Sequence, residues 1–272
     1  MAKVQGIADP EYVNSQYRTS TNLNARIRLH QQFSTNKYGW QRWLFDQIRF
    51  APQNRILELG CGTGALWLEN LDRIPAGMEI VVSDLSSGLV AQTQQSPINS
   101  YPGFQFKVID AQSIPYEDDR FDIVIASHML YHVPDRTKAL SEIRRVLKPT
   151  GSLYTSTVGK KHLIELTELI CRFNPQLSSW GKLPSDSFCL ENGHTQLRKY
   201  FATVTLHRYR DALIVTDTGS LTDYILSGRI VLTPEQKEDL AEFVKREMNA
   251  SNGKFYITKD SGVFEASGSL KT

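Results

Sequence analysis

The chain has 272 residues, 31 Lys plus Arg against 29 Asp plus Glu, a formal charge of +2, and 40% hydrophobic residues. That is the composition of an ordinary globular protein with enough length to bury a core, and its charge is too small to imply a nucleic-acid or membrane partner. The first residues, MAKVQGIADPEY, lack the apolar run of a signal peptide.

The first fifty residues read as helical and rich in aromatics. Ser20 or Thr21 is expected to cap a helix carrying Leu23, Ile27 and His30 on one face. A second helix is predicted from Gly39 to Phe50. Trp40, Trp43, Leu44 and Ile48 form its apolar stripe, and Ala51-Pro52 ends it. Strand and helix then alternate from 54 to 158. Strands are predicted at Arg55 to Leu59, Glu79 to Ser83, Phe104 to Ile109, Phe121 to Ala126 and Leu153 to Val158. Ala65 to Leu71 is read as a helix, Ser86 as the cap of the next, and Asp135 as the cap of a third bearing Leu140, Ile143, Val146 and Leu147. Pro149-Thr150-Gly151 is expected to break that helix before the fifth strand. Such alternation predicts a doubly wound, mostly parallel α/β sheet with helices on both faces.

Beyond 158, Lys161 to Phe173 reads as a helix, Asn174 to Asn192 as a loop or cap, and Pro234 to Met248 as an amphipathic helix. Val204 to Tyr209 and Phe255 to Thr258 are strand candidates, and the residues from Ser267 are expected to fray. With no clean linker in view, one domain is expected over 1–272. It divides into an aromatic helical lid (1–50), a ligand-binding core (54–158), a small helical cap (159–200) and a C-terminal part that completes the sheet (201–272). Cys61, Cys171 and Cys189 are an odd set without a CxxC, which favours a reducing, cytoplasmic location over a disulfide or zinc framework.

The strongest local signal is Glu58-Leu59-Gly60-Cys61-Gly62-Thr63-Gly64, where a strand runs into three glycines and a helix leaves. Glycine permits the turn and a close ligand approach, and the helix start offers free N–H groups. Asp84 lies 20 residues after Gly64, at the end of the next strand, where a ribose-binding acid belongs. Gly60, Gly62 and Ala65 also satisfy GxGxxA, so a dinucleotide ligand has to be weighed. Glu58 at the lip of the strand would repel a pyrophosphate and favour a ligand with an ammonium and a sulfonium. Asp110 with Ala111 closes the third strand with an acceptor suited to an adenine amine.

These stretches resemble the class I S-adenosylmethionine-dependent methyltransferases, particularly the small-molecule type 11 group. ELGCGTG is similar to the family's first motif and VVSDLS to its second. VIDAQSIPYEDDRFDIVIASHMLYHVPD and SEIRRVLKPTGSLYTST resemble the runs that follow, so the likeness covers 54 to 158. The resemblance implies a Rossmann-like, seven-stranded sheet with its last strand antiparallel, and S-adenosyl-L-methionine as cofactor. It implies that Gly60, Cys61, Gly62 and Gly64 line the methionine and ribose, with Glu58 shaping that pocket. Asp84 would bind the ribose, Leu85 would pack on adenine, and Asp110 and Ala111 would meet its amine. Ser127 and His128 would face the methionine.

The expected activity is methyl transfer to oxygen, nitrogen or carbon of a small molecule, an in-line displacement in which the protein mainly aligns donor and acceptor. His128 and His132 are the candidate bases. Tyr17, Tyr38 and Trp40 are candidates for an aromatic wall that excludes water. An HxxxH metal site lacks clustered carboxylates to complete it. Ser127-His128-Met129-Leu130 is unlike NPPY, which counts against methylation of a base amine or glutamine. A nicotinamide-dependent oxidoreductase and a non-catalytic S-adenosylmethionine-binding protein are the alternatives.

Overall fold

The structure, a computed structural model, describes residues 3–4, 21–181, 186–228 and 230–270. In chain order the elements are β1 (Lys3–Val4), α1 (Thr21–Phe33), α2 (Trp40–Gln47), β2 (Arg55–Leu59), α3 (Ala65–Leu68), β3 (Glu79–Asp84), α4 (Ser87–Gln94), β4 (Phe104–Val108) and β5 (Phe121–Ser127). They continue as α5 (Arg136–Val146), β6 (Leu147–Val158), α6 (Ile164–Phe173), α7 (Gly193–Leu197), β7 (Thr203–Val215), α8 (Thr218–Leu226), β8 (Ile230–Val231), α9 (Pro234–Ala250) and β9 (Phe255–Ser267).

Seven strands form one sheet in the order β4-β3-β2-β5-β6-β9-β7. β4, β3, β2, β5 and β6 pair in parallel, and β9 joins β6 antiparallel. The expected Rossmann-like sheet of seven strands, with its last strand reversed, is therefore present.

The chain groups into two compact units, one of residues 40–158, 188–209 and 261–272, the other of 1–39, 159–187 and 210–260. In the first unit, side-chain alternation sorts the strands into two cores. Leu57, Leu59, Val81, Val124, Ala126 and Leu153 face α5, whose Ala139, Leu140, Ile143 and Val146 are buried with them. Ile56, Ile80, Val82, Ile123, Ile125 and Tyr154 face the other way, with Leu44, Phe45 and Ile48 of the α2 segment and Leu66 and Trp67 of α3. Asp135 caps α5 through Lys138 N (2.9 Å) and Ser86 caps α4 through Leu89 N (3.3 Å), as expected.

The second unit has its own core of Leu29, Leu166, Leu169, Ile170, Leu213, Val215, Leu221, Ile225, Leu240 and Val244. Three departures from expectation share one cause. β7 runs to Val215 rather than Tyr209, β9 runs to Ser267 rather than Thr258, and β6 starts at Leu147 rather than Leu153. Each extension passes through residues that read as strand breakers. Arg210-Asp211 and Lys259-Asp260 interrupt the apolar pattern of β7 and β9. Yet Asp211 and Lys259 pair with each other at 2.5 Å, with side chains 0% and 8% exposed. Pro149 and Gly151 are taken up where the β5–β6 register shifts between Phe121 and Ile123. Helix α8 has no counterpart in the sequence reading; Asp217 caps it through Ser220 N (2.6 Å).

Candidate functional site: the glycine loop and the ends of β3, β4 and β5

All three glycines of the loop lie in the left-handed region, at φ +73° (Gly60), +57° (Gly62) and +74° (Gly64). A side chain there is strained whatever the space. Space is also short: a Cβ at Gly60 would stand 2.8 Å from Met129 Cβ, and one at Gly64 2.6 Å from Thr93 Cγ2. The loop is closed by Gly64 N donating to Cys61 O (2.9 Å), and Cys61 N donates to Ser83 O (2.9 Å). Thr93 supports it from α4, its hydroxyl donating to Gly62 O (3.1 Å).

Asp84 is tied to this loop. Its carboxylate accepts from Gly62 N (3.0 Å) and from Ser86 N (2.9 Å). Burial raises its carboxyl above the usual range, while the N–H groups of Ser86 and Gly62 pull it back down. Beside it Leu85 is 57% exposed, a large apolar side chain turned to the surface at the end of β3. At the end of β4 the Asp110 carboxylate accepts from Gln112 N (2.8 Å) and Gln112 Nε2 (3.0 Å), while the Ala111 side chain is buried in the core.

Glu58 differs from the sequence reading. The sequence puts its carboxylate at the lip of the strand, shaping the ligand pocket. It is instead 2% exposed, and its Oε2 accepts from the Trp67 indole Nε1 at 2.7 Å. Desolvation pushes its pKa up to about 7, the Trp67 bond opposes the rise, and Asp84 adds to it. The repulsion it offers a pyrophosphate is thereby weakened, and its visible role is to brace β2 against the helix after the loop. Cys61 is buried, and desolvation with the nearby Glu58 and Asp84 raises its thiol far above the ordinary range. A thiol raised in this way is a poor nucleophile.

Beyond β5, Ser127 and Ser156 hydroxyls meet at 2.9 Å, and His128 N donates to Ser156 Oγ (3.0 Å) and Ser156 O (3.2 Å). These bonds hold His128 at φ +53°, a conformation stored at a cost and common at functional sites. Its ring lies 5.0 Å from Trp40, centroid to centroid. Trp40 in turn packs on Trp43 (5.2 Å) and edge-on to Tyr209 (5.3 Å). His132 closes a short 3₁₀ turn, its ring 4.6 Å from Tyr131. The His128 ring also stands 6.3 Å from Tyr131, so the two histidines share that neighbour, and no group of three or more His, Cys, Asp or Glu able to hold a metal exists among the described residues. Tyr38 is 48% exposed and belongs to the other unit; Tyr17 lies outside the described residues. Thr93, Trp67, Ser156 and Tyr209 were missed in the sequence because each reaches the site from a separate element. Only the alternation on β6 hinted at Ser156.

The strand order, the reversed β9 and the glycine loop that opens α3 define a Rossmann-like core. Residues 57–155 match the family described as "Methyltransferase domain". The chain is 36% identical over 115 residues to a ubiquinone/menaquinone biosynthesis C-methyltransferase from Geotalea daltonii, covering 42% of this chain and 49% of the relative. It thus spans about half the length of that relative. Two solved structures share the fold. The [4+2]-cyclase SpnF is 20% identical with TM-score 0.59, covering 98% of this chain and all of that one (100%). A phosphoethanolamine N-methyltransferase 2 from Haemonchus contortus is 17% identical with TM-score 0.60, covering 98% of this chain and 61% of that one. No helix among the described residues is long and apolar enough to cross a membrane.

Proposed function

We propose that the protein is an S-adenosylmethionine-dependent methyltransferase acting on a small molecule. The observation that carries this reading is the Asp84 carboxylate fixed on the N–H of Gly62, beside three left-handed glycines, inside the segment that matches the methyltransferase family. The residues present fit the cofactor. The three left-handed glycines leave the loop backbone bare of side chains, Asp84 carries acceptor oxygens for ribose hydroxyls, and exposed Leu85 offers an apolar platform for adenine. Asp110 and the backbone of Ala111 are proposed to read the adenine amine, and Ser127 and His128 to line the methionine end. When bound, S-adenosylmethionine supplies an electrophilic methyl group on a cationic sulfur.

The chain's own contribution is alignment and exclusion of water. His128 is the stronger candidate for accepting a proton from the acceptor, because its ring stands with Trp40 at the end of β5 while that of His132 packs on Tyr131. Both units are proposed to serve one methyltransferase. Three free cysteines support a reducing, cytoplasmic setting, and the near-balanced charge supports a metabolite rather than a nucleic acid as partner. The name of the Geotalea daltonii relative supports carbon as one acceptor atom.

A second reading is another chemistry on the same scaffold, since SpnF is named a [4+2]-cyclase. Calorimetry with S-adenosylmethionine tests the cofactor, and incorporation of labelled methyl from it into a metabolite extract tests the activity. No binding by the folded protein would sink the proposal. Binding without methyl incorporation would favour the second reading.

A further inference from the structure

On the sheet face that carries Ile123, Ile125, Tyr154 and Val263, the residues change character toward the C-terminal ends of the parallel strands. The period of two carries the same face from Ile125 to Ser127, from Tyr154 to Ser156, and back from Val263 to Ser261. The register brings Ser127 opposite Ser156, Ser156 opposite Val263, and Val158 opposite Ser261. Three hydroxyls thus stand at one end of one face. Trp40 and Trp43 pack against the apolar core of that same face.

Two polar groups of this region have no hydrogen-bond partner among the described residues. One is the buried indole N–H of Trp40, the other the hydroxyl of Ser261, a residue only 3% exposed. A buried donor left unmade is costly and calls for an explanation. Ser127 and Ser156, by contrast, satisfy each other. The surrounding rings are occupied with one another: Trp40 meets Tyr209 edge-on at 86°, and His128 is tilted 47° to Trp40. That arrangement suits an aromatic wall more than an open cage for a cation, which needs free ring faces. No carboxylate or ammonium side chain belongs to the set.

We propose that Trp40 and Ser261 are specificity-determining residues that hydrogen-bond an uncharged, oxygen-bearing methyl acceptor beside His128. This rests on the methyltransferase reading and adds the side of the site that the acceptor occupies. The indole N–H donates to an acceptor oxygen, and the Ser261 hydroxyl donates to it or accepts from it. The rings of Trp40 and His128 fix the plane of the bound molecule.

The test uses the full chain with indole-¹⁵N tryptophan, titrated with phenol in the presence and absence of S-adenosylhomocysteine. The Trp40 indole signal is assigned by its loss in Trp40→Phe. Phenol is expected to move that signal downfield. Trp40→Phe and Ser261→Ala should each weaken phenol binding about ten-fold while S-adenosylhomocysteine affinity holds within about two-fold. Unchanged phenol affinity in both variants would overturn the proposal. So would absence of phenol binding to a protein that binds S-adenosylhomocysteine, or tighter binding of benzoate or benzylammonium than of phenol. A phenol response without S-adenosylhomocysteine binding would support the two donors and count instead against the cofactor assignment.

Discussion

Two buried carboxylates, one in each unit, show how differently this chain places charge. Glu58 sits under the glycine loop and has a single neutral partner, the Trp67 indole nine residues along the chain. Desolvation wins there, and its pKa rises to about 7. Asp211 sits in β7 and accepts from Ser34 Oγ (2.7 Å), Asn36 N (3.0 Å), Ala212 N (2.8 Å) and Lys259 Nζ (2.5 Å). Burial raises its carboxyl too, but the Lys259 bond, the backbone N–H of Asn36 and the lysine charge outweigh it, so it ends below the ordinary range. A buried acid is costly unless donors surround it. One unit accepts part of that cost next to its loop, and the other cancels it with a network drawn from distant segments.

The largest effect is expected at Asp211. Asp211→Ala removes the carboxylate that the buried Lys259 ammonium pairs with and should cost about 3–5 kcal/mol, read as a lowered urea midpoint. The double variant Asp211→Leu with Lys259→Met should recover most of that loss. If the single variant is neutral, the network is not the organiser described here.

The Glu58 contrast has a pH signature. Its folded pKa lies above the unfolded one, so its stabilising contribution is full below about pH 4.5 and is lost as pH rises through about 7. On the order of 3 kcal/mol is at stake across that window. Glu58→Gln, which still accepts from the Trp67 indole, should abolish this dependence. Denaturation midpoints of wild type and variant between pH 5 and 8 check it; parallel curves would refute the assignment. Asp211 has the opposite sign: its contribution persists above the unfolded carboxylate range and is lost as pH falls through its lowered folded pKa.

Gly64→Ala combines a left-handed backbone with a Cβ 2.6 Å from Thr93 Cγ2, and should cost about 2–3 kcal/mol in stability as well as cofactor affinity. Thr93→Ala in the same background should restore part of the stability, because it removes the Thr93 clash and leaves the Ile98 Cδ1 contact at 2.8 Å and the backbone strain. Asp84→Ala is expected to weaken S-adenosylmethionine about a hundred-fold by calorimetry, since it removes both a hydroxyl acceptor and the clamp on Gly62 N. Unchanged affinity would break the cofactor assignment. The smallest effect is expected for Thr233→Ala, which opens the capping box of α9 and should cost about 1 kcal/mol of thermal stability.

Much of the first unit was legible before its structure. The glycine loop, the strand-ending Asp84 and Asp110, the caps Ser86 and Asp135 and the parallel core all follow from periodicity and backbone chemistry within short stretches. Those signals are local. A left-handed turn selects glycine, a helix start selects an oxygen, and a strand buried on both faces selects apolar residues. The rest depended on partners far along the chain. Arg210-Asp211 and Lys259-Asp260 read as the ends of strands because an unpaired charge cannot stay in a buried strand. Only the packed structure supplies Ser34 and Lys259 to Asp211, and so lets both strands continue. Glu58 reads as a ligand-facing acid until Trp67 is seen beneath it. Likewise, the sequence alone determined that the chain carries a glycine-loop α/β core. Only the tertiary structure decided that the rings of Trp40, His128 and Tyr209 meet, because helix packing against the strand ends sets that meeting.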